Sequence, residues 1–361
     1  MPDIEIQNLT KVYEESGNKI IAVDDVDLTI RDGEFVTLVG PSGCGKTTTL
    51  RCVAGLNKPT SGTIKFGDRD VTDKPVQERN IALLFQDIAL YPHMSVKENI
   101  AYGLKITGFS KEERMARVEE AAELLQITDQ LEKMPSELSG GQQQRVALGR
   151  SLVRDPEVFL FDEPMSDLDA KLKAELRPVI EKVTDEIGCP TLYVTHDQEE
   201  AMTMSDRVAV INDGELAQVA PPKEIYDEPS SEFVSQFIGQ PSTQFFEGNV
   251  RSVNGTAELA VGGYEYDIAR DGLDGWAGED VRVGLRPQYI QVSDDPNDGI
   301  PATHLLDEPL GDSTHSFFKT EFGEVVVVTD PDFEGGGKEY SLVFEDEYIQ
   351  LFDNDSGVRI A

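Results

Sequence analysis

Short apolar runs alternate with helix-like stretches through the first two-thirds of the chain, which is the pattern of an α/β domain. The apolar runs are rich in β-branched residues, and several of them end in polar residues, as buried strands do. A capping-box pattern, Ser110 to Glu113, marks the start of one amphipathic helix. The predicted strands lie at 33–40, 80–86, 157–163 and 191–196, the predicted helices at 46–56 and 110–127, and a hairpin with an Asp213–Gly214 turn at 207–220.

A change of pattern near residue 238 predicts a second domain. From there to residue 361, short alternating segments are separated by Gly and Asp turns, without a convincing helical stretch, which is typical of a small all-β barrel or sandwich. Gly239 and Pro241 interrupt the sequence pattern at the boundary, so we expect domains at 1–238 and 239–361. Within the first domain, Pro178 is expected to kink or to start a helix.

The charge of the chain is unusually negative. Its 361 residues include 68 Asp and Glu against 32 Lys and Arg, a net charge of −36, and the acids are spread along the whole sequence. Such a field repels phosphate backbones and anionic membranes, so a nucleic-acid partner is not expected. The even spread in a foldable chain favours adaptation to high intracellular salt, with an ordinary acidic cytosolic protein as the alternative.

Cysteine usage and hydropathy suggest a cytosolic location. Cys44, Cys52 and Cys189 form neither pairs nor a CxxC spacing, so neither disulfides nor zinc are indicated. No signal peptide is visible at the start of the sequence, and the apolar runs are shorter than the ~20 residues that span a bilayer. Any membrane role is therefore expected to be peripheral, through a partner.

Residues 40–47, GPSGCGKT, match G-x-x-x-x-G-K-[ST] directly after a predicted strand and at the start of a predicted helix. Glycines let successive N–H groups converge on phosphate oxygens, and the helix N-terminus adds the positive end of its dipole. Lys46 can reach the β- and γ-phosphates, and the Thr47 hydroxyl can ligate Mg²⁺. The alternative is a purely structural Gly-rich turn. The candidate nucleotide-binding residues here are Gly40, Pro41, Ser42, Gly43, Cys44, Gly45, Lys46, Thr47 and Thr48.

The segment VFLFDE supplies carboxylates for a metal and for water. Four apolar residues lead into Asp162, which can hold Mg²⁺, and Glu163, which can polarise the attacking water. The alternative, that both are ordinary surface acids, fits poorly with the apolar strand before them.

A second candidate phosphate cradle occurs in LSGGQQQRVALGR, residues 138–150. Ser139, Gly140, Gly141 and Gln142 open a predicted helix and can offer a hydroxyl and amides to a phosphate, although a simple glycine helix start would look similar. One nucleotide has no need of two such cradles, so the second is predicted to serve a nucleotide that another subunit binds. The expected assembly is a dimer with ATP between the subunits.

In the order and type of these motifs, the sequence resembles the ATP-binding-cassette (ABC) transporter ATPases. Gln86 in LLFQD matches the family's Q-loop, 165–169 its D-loop, His196 its switch histidine and Tyr13 the aromatic residue that stacks on adenine. The resemblance implies a P-loop ATPase fold with ATP and Mg²⁺ as cofactors. It implies catalytic roles for Glu163, His196, Lys46 and Gln86, and metal ligation by Thr47, Gln86 and Asp162. Two residues, Gln143 and Asp167, depart from the family's usual sequence, and both make the net charge more negative. Asp167 puts the contacts of the D-loop in question.

Further segments resemble the sugar-importer subgroup of that family, the maltose and glycerol-3-phosphate type. The matching segments are 89–108, 221–239, 283–287 and 351–360. The resemblance implies a helical subdomain at about 88–156 and a regulatory β-barrel of the OB/MOP-like kind at 239–361. It also implies a second ATP-binding subunit, identical or paralogous, two transmembrane permease subunits docking around 89–94, an indirect extracellular solute-binding protein, and a place on the cytoplasmic face of the membrane.

Several functional alternatives remain open from the sequence. The solute could be a pentose, a hexose, an oligosaccharide, glycerol-3-phosphate, a polyamine or an oxyanion, and the C-terminal domain could itself sense an oxyanion. Non-transport ABC proteins of DNA repair and translation are a different class. The former carry long insertions, whereas 86 to 138 is a short gap here, and the latter carry two cassettes. A GTPase is disfavoured because NKPT at 57–60 is not an N-K-x-D motif.

Overall fold

The computed structural model divides the chain into two compact units, Met1–Lys223 and Glu224–Ala361. It describes residues 1–15, 17–86, 88–253, 256–267, 273–295 and 298–360, and some of the Gly and Asp turns predicted after residue 238 lie outside them. The division falls earlier than the domain boundary predicted at residue 238, because 224–238 clusters with the second unit.

The strands of the first unit form two sheets. A four-stranded antiparallel sheet has the order β2-β1-β4-β5, and a six-stranded sheet has the order β10-β9-β3-β8-β7-β6. In the second sheet β9, β3, β8, β7 and β6 are parallel and β10 is antiparallel at the edge. The strands are β1 Ile4–Glu15, β2 Asn18–Ile30, β3 Phe35–Val39, β4 Ser61–Phe66, β5 Arg69–Asp70, β6 Ile81–Leu84, β7 Val158–Asp162, β8 Thr191–Val194, β9 Arg207–Asn212 and β10 Glu215–Ala220.

Helices connect these strands, and α1 and α3 lie where the sequence pattern predicts helices. Three of them begin with a complete capping box, in which a serine hydroxyl and a Glu or Gln side chain each accept from the other's backbone N–H. The helices that begin in the first unit are α1 Lys46–Ala54, α2 Val96–Ile106, α3 Lys111–Leu124, α4 Gly140–Leu152, α5 Ala170–Ile187, α6 Gln198–Met204 and α7 Pro222–Asp227.

Helix α5 runs through Pro178 without interruption, so the alternative that Pro178 starts a helix is wrong. The helix begins at Ala170, where the Asp169 side chain accepts from the Leu172 N–H at 3.0 Å and caps it. The inner face of the helix is buried, and its apolar residues are Leu176, Val179, Ile180 and Val183. Burial of this apolar face offsets the loss of one backbone hydrogen bond at proline.

Alternate residues of the parallel strands supply the cores on both faces of the large sheet. On β7, Phe159 and Phe161 join the cluster formed with α2, α4 and α5, whereas Val158 and Leu160 join the cluster that contains Leu50 of α1. All of these side chains are essentially inaccessible to solvent. This two-sided burial explains why the strand is a continuous apolar run, and it fixes the strand's polar end at the edge of the sheet.

The second unit contains a short helix, α8 Glu232–Phe237, followed by two antiparallel five-stranded sheets of orders β13-β12-β11-β14-β20 and β15-β19-β16-β17-β18. One apolar cluster includes residues of both sheets, among them Phe246, Val283, Phe318 and Leu342. The strands are β11 Gln244–Val253, β12 Thr256–Val261, β13 Tyr264–Asp267, β14 Asp280–Leu285, β15 Ile290–Ser293, β16 Ile300–Pro309, β17 Thr314–Thr320, β18 Gly323–Thr329, β19 Glu339–Phe344 and β20 Gln350–Asp353.

The predicted small all-β domain is therefore present. In the part of the chain that the structure describes, the helices all fall short of the length and apolar character needed to cross a membrane.

Candidate functional site

The carboxyl ends of four neighbouring parallel strands carry most of the predicted site residues. The phosphate-loop sequence follows β3, Asp162 ends β7, His196 is the second residue after β8, and Gln86 is the second residue after β6. Ligands bind at this edge of open α/β sheets, because the loops that leave the strands converge there. The topology thus explains why residues far apart in the sequence meet.

The loop at residues 40–47 requires glycine for two physical reasons. Gly43 and Gly45 have φ of 83° and 109°, in the region that other residues avoid. A Cβ at Gly45 would lie 2.2 Å from the Ala22 carbonyl oxygen, and one at Gly40 would lie 2.1 Å from that of Ile211. Gly45 is also the N-cap of α1 and provides no side-chain cap, so the first-turn N–H groups of this helix can receive an anion.

Lys46 is folded back over this loop. Its ammonium donates to the carbonyl oxygens of Gly40 at 2.8 Å and Pro41 at 2.9 Å, and the residue is only 5% exposed. Burial raises the pKa of the neighbouring Cys44 thiol, so that side chain is uncharged at neutral pH. The result is one fixed positive charge beside a ring of backbone amides.

Thr47 and Asp162 lie in direct contact. The Thr47 hydroxyl donates to Asp162 Oδ1 at 2.9 Å, and Arg51 approaches Oδ2 of the same carboxylate at 3.7 Å. Asp162 is 5% exposed, and burial raises its pKa, with the nearby charge of Glu163 acting in the same direction. Together the hydroxyl and the carboxylate form a pair of hard oxygen donors, which suit Mg²⁺.

Glu163 has an unusual backbone conformation, with a φ of 49°. Its N–H donates to the Val194 carbonyl at 2.9 Å, and its Oε2 lies 2.7 Å from His196 Nδ1. The Glu163 side chain is 20% exposed and that of His196 is 54% exposed. Since left-handed backbone is costly for glutamate, its presence at this point is consistent with a functional requirement on the side chain.

A partly buried ion-pair network behind His196 was not predicted from the sequence. Lys173 of α5 contacts Asp197 at 2.7 Å and Glu200 at 3.1 Å, and both carboxylates follow His196 closely. Glu200 also accepts from the hydroxyls of Tyr193 and Thr195, each at 2.8 Å, and burial followed by the charge of Glu200 raises the pKa of Tyr193. Asp197 could have been identified from the sequence as the N-cap of α6, because a cap is a local signal. Its ion pair with Lys173 could not, because Lys173 is distant in the sequence.

Two predicted residues lie apart from this group. Gln86 is exposed beyond the end of β6, and Tyr13 lies on β1 of the other sheet with 37% of its surface exposed. The Tyr13 hydroxyl accepts from Asn57 Nδ2 at 2.7 Å. Within the described residues, neither makes a hydrogen bond to Thr47, Asp162, Glu163 or His196.

In the second candidate cradle, residues 139–142, the capping hydrogen bonds join residues of the segment to each other. Ser139 caps α4, and its N–H donates to Gln142 Oε1 at 3.0 Å while its hydroxyl accepts from the Gln142 N–H at 3.4 Å. A Cβ at Gly140 would lie 3.4 Å from Leu168, and one at Gly141 would lie 3.2 Å from Leu172. Across the described ranges, no hydrogen bond or ion pair joins 139–142 to 40–48, so one chain does not bring the two cradles together.

Comparisons with known proteins agree with this arrangement of motifs. A family model described as ABC transporter matches residues 23–166. The chain is 43% identical to the xylose/arabinose import ATP-binding protein XacK of Haloferax volcanii, over 99% of this chain and 95% of the relative. It is 41% identical to the sn-glycerol-3-phosphate import ATP-binding protein UgpC of Escherichia coli, over the full length of both. A solved dimeric structure of MJ0796, described as a bacterial ABC transporter cassette, matches with a TM-score of 0.55 and 33% identity, over 61% of this chain and 98% of that chain.

Proposed function

Because this chain belongs to the ABC transporter ATP-binding proteins, a family of ATPases, we propose that it hydrolyses ATP to drive uptake of a sugar through a membrane permease. One observation carries the proposal: the contacts Thr47–Asp162 and Glu163–His196 gather hydrolytic groups at the strand ends beside the loop that holds Lys46. The import names of the XacK and UgpC relatives support the direction of transport.

The residues beside the loop fit a magnesium ion that accompanies ATP. Thr47 and Asp162 would hold it, because a hydroxyl and a carboxylate oxygen are hard donors, and Gln86, which lies apart from them in this structure, would add its amide oxygen when the nucleotide is bound. When bound, the ion neutralises phosphate charge. Lys46 and the α1 amides orient the β- and γ-phosphates.

Glu163 orients the attacking water, and His196 holds the Glu163 carboxylate and can contact the γ-phosphate. The catalysis proposed is therefore positioning and charge stabilisation, without a covalent intermediate.

Hydrolysis in this proposal requires a second ATP-binding subunit. Ser139–Gln142 would contact the nucleotide held by the other subunit, which is either a copy of this chain or a paralogue. The separation of the two cradles within one chain and the dimeric MJ0796 cassette support this assembly.

We further propose that two permease subunits dock near residues 89–94 and at Gln86, on the cytoplasmic face of the membrane. Asn99 supports the docking loop, since its side chain bonds to the backbone of Tyr91, Met94 and Ser95. An extracellular solute-binding protein would act indirectly, and the C-terminal β domain would regulate the cassette.

Deletion of the gene and growth on single carbon sources test the choice of solute. Loss of growth on xylose, arabinose, glucose or an oligosaccharide would support a sugar importer. Loss confined to glycerol-3-phosphate, polyamine or oxyanion supply would favour the alternative solute. Co-purification with ribosomes or DNA in place of a permease would overturn transport altogether.

The net charge of −36 supports a working environment of high salt. Titration of folding and ATPase activity against KCl tests this, and full stability in dilute buffer would contradict it.

A further inference from the structure

Two side chains outside the predicted site hold the ring of Tyr13. Asn57 Nδ2 donates to the Tyr13 hydroxyl at 2.7 Å, and Lys11 Nζ lies 4.8 Å from the centroid of the same ring. Tyr13 remains 37% exposed, so these contacts leave part of the ring open. A ring restrained at its edge and along one face is suited to stacking on its other face.

Asn57 connects this ring to the helix that binds phosphate. Its backbone N–H donates to the Arg51 carbonyl at 3.0 Å, at the end of α1, and α1 begins with Lys46 and Thr47. Through Asn57, the ring of Tyr13 is tied to the far end of a helix about 13 Å long. The contact therefore fixes the distance between the ring and the phosphate loop.

Backbone contacts at Thr60 reinforce this connection. The Val12 N–H donates to the Thr60 hydroxyl at 2.9 Å, and the Thr60 N–H donates to the Thr10 carbonyl at 2.8 Å. The strand that carries Tyr13 is thereby joined to the loop after α1 on both sides of Lys11.

Lys11 is itself restrained above the ring. Its ammonium donates to the Lys58 carbonyl at 2.8 Å, which holds the charge near Tyr13, and no ion pair of Lys11 with a carboxylate occurs among the described residues. A cation over one face withdraws electron density from the ring, and an electron-rich purine stacks well on the opposite face of such a ring.

From these contacts we infer that Asn57 and Lys11 are positioning residues, which fix Tyr13 as the platform for the adenine ring and set its distance from the phosphate-binding helix. Neither residue belongs to the motifs found in the sequence. The inference rests on the proposed function, since it requires that ATP is the nucleotide bound at Lys46.

The test compares two ligands of the full-length protein at fixed KCl, ATP and inorganic tripolyphosphate, which lacks the base. Asn57→Ala and Tyr13→Phe should each weaken ATP binding about three- to tenfold, because each removes the same hydrogen bond. The double variant should bind no more weakly than either single variant. Lys11→Met should weaken ATP binding about three- to fivefold. Tripolyphosphate affinity should not change in any of them.

Lys58→Met is the matched control for Lys11→Met. Lys58 lies in the loop after α1, and its exposed ammonium pairs with Asp73. The substitution removes this charge but keeps the backbone carbonyl that accepts from Lys11, so ATP binding should stay within about twofold of wild type. This comparison separates the loss of the Lys11 ammonium from a general loss of positive charge.

Three outcomes would overturn the inference. Equal weakening for ATP and tripolyphosphate would mean that the substitutions damage the loop itself. Additive effects of Asn57→Ala and Tyr13→Phe would mean that Asn57 does not act through the hydroxyl, and tighter ATP binding by Lys11→Met would place Lys11 on the adenine face. A wild-type protein that binds neither ligand would instead overturn the proposed function, which is a distinguishable result.

Discussion

The two candidate phosphate cradles of this chain differ in how they are held. The loop at 40–47 is anchored to other parts of the protein: Lys46 is buried against its own loop, and Thr47 bonds to Asp162 from another strand. The segment 139–142 bonds within itself through Ser139 and Gln142, and Ser139 is exposed. Both begin helices, so their ability to receive an anion has the same physical origin.

The two cradles therefore depend on different parts of the molecule. The first draws its geometry from neighbouring strand ends and brings its own carboxylates and histidine, so under the proposed function it would bind and align a nucleotide within one chain. The second offers only a hydroxyl, amides and a helix end, and it needs a nucleotide supplied from outside. Changes to the first should therefore alter binding or chemistry within one subunit, whereas changes to the second should act only in the dimer.

The largest effect is expected at Glu163. Glu163→Gln should lower kcat by a factor of about 10²–10⁴, because the amide cannot act on the attacking water, while ATP binding persists and the closed dimer accumulates. ATPase assays and size-exclusion chromatography with ATP measure both. Glu157→Gln, just before the same strand and paired with exposed Arg69, is the matched control and should keep kcat near wild type. Normal hydrolysis by Glu163→Gln would show that another group acts on the water.

Replacing one glycine in each cradle tests how differently the two cradles are held by the rest of the protein. Gly45→Ala should lower the free energy of unfolding by about 2 kcal/mol or more and remove ATP binding, because the new Cβ meets a backbone carbonyl at a φ of 109°. Gly140→Ala has ordinary contacts, and the change in the free energy of unfolding should stay below about 1 kcal/mol. Denaturant titration and ATP binding by the monomer measure this. Equal losses in the two variants would remove the distinction between the cradles.

The sequence was sufficient for the features that depend on local pattern. The apolar run of β7 and the glycines around Lys46 predicted a strand, a loop and a helix in the observed places, because each signal lies within a few residues. The capping box predicted at Ser110 is equally local, and it is present.

Side-chain contacts between different strands and helices could not be predicted from the sequence. Glu163 and His196 meet because β7 and β8 are neighbours, and Lys173 reaches Asp197 because α5 packs near α6. Pro178 shows the opposite case, where tertiary burial overrides a strong local signal. Likewise, 224–238 clusters with the second unit, although its sequence has the helical character of the first.

Ser139→Ala addresses the second cradle alone. It should lower dimer-dependent ATPase activity by about tenfold, because the hydroxyl no longer reaches the other subunit's nucleotide, and leave the ATP affinity of the monomer unchanged. Loss of the cap at α4 is a separate cost of about 1 kcal/mol. Ser110→Ala removes the equivalent cap at α3, so it is the matched control for that cost and should keep its ATPase activity. Weaker ATP binding by the Ser139→Ala monomer would contradict a role in the dimer.

Asp162→Asn separates stability from chemistry in the first cradle, because its expected effect on stability is small. Burial raises the pKa of Asp162, so its ionised form costs stability at pH values above that raised pKa, and the cost disappears as pH falls below the pKa of the unfolded chain, about 4. The asparagine removes this cost and still accepts from Thr47. Without nucleotide, Tm should rise by about 1–3 °C at pH 8, and the gain should vanish at about pH 3. Thermal unfolding at the two pH values measures this, together with an expected loss of hydrolysis. A gain equal at both pH values would show that the charge of Asp162 is not its cause.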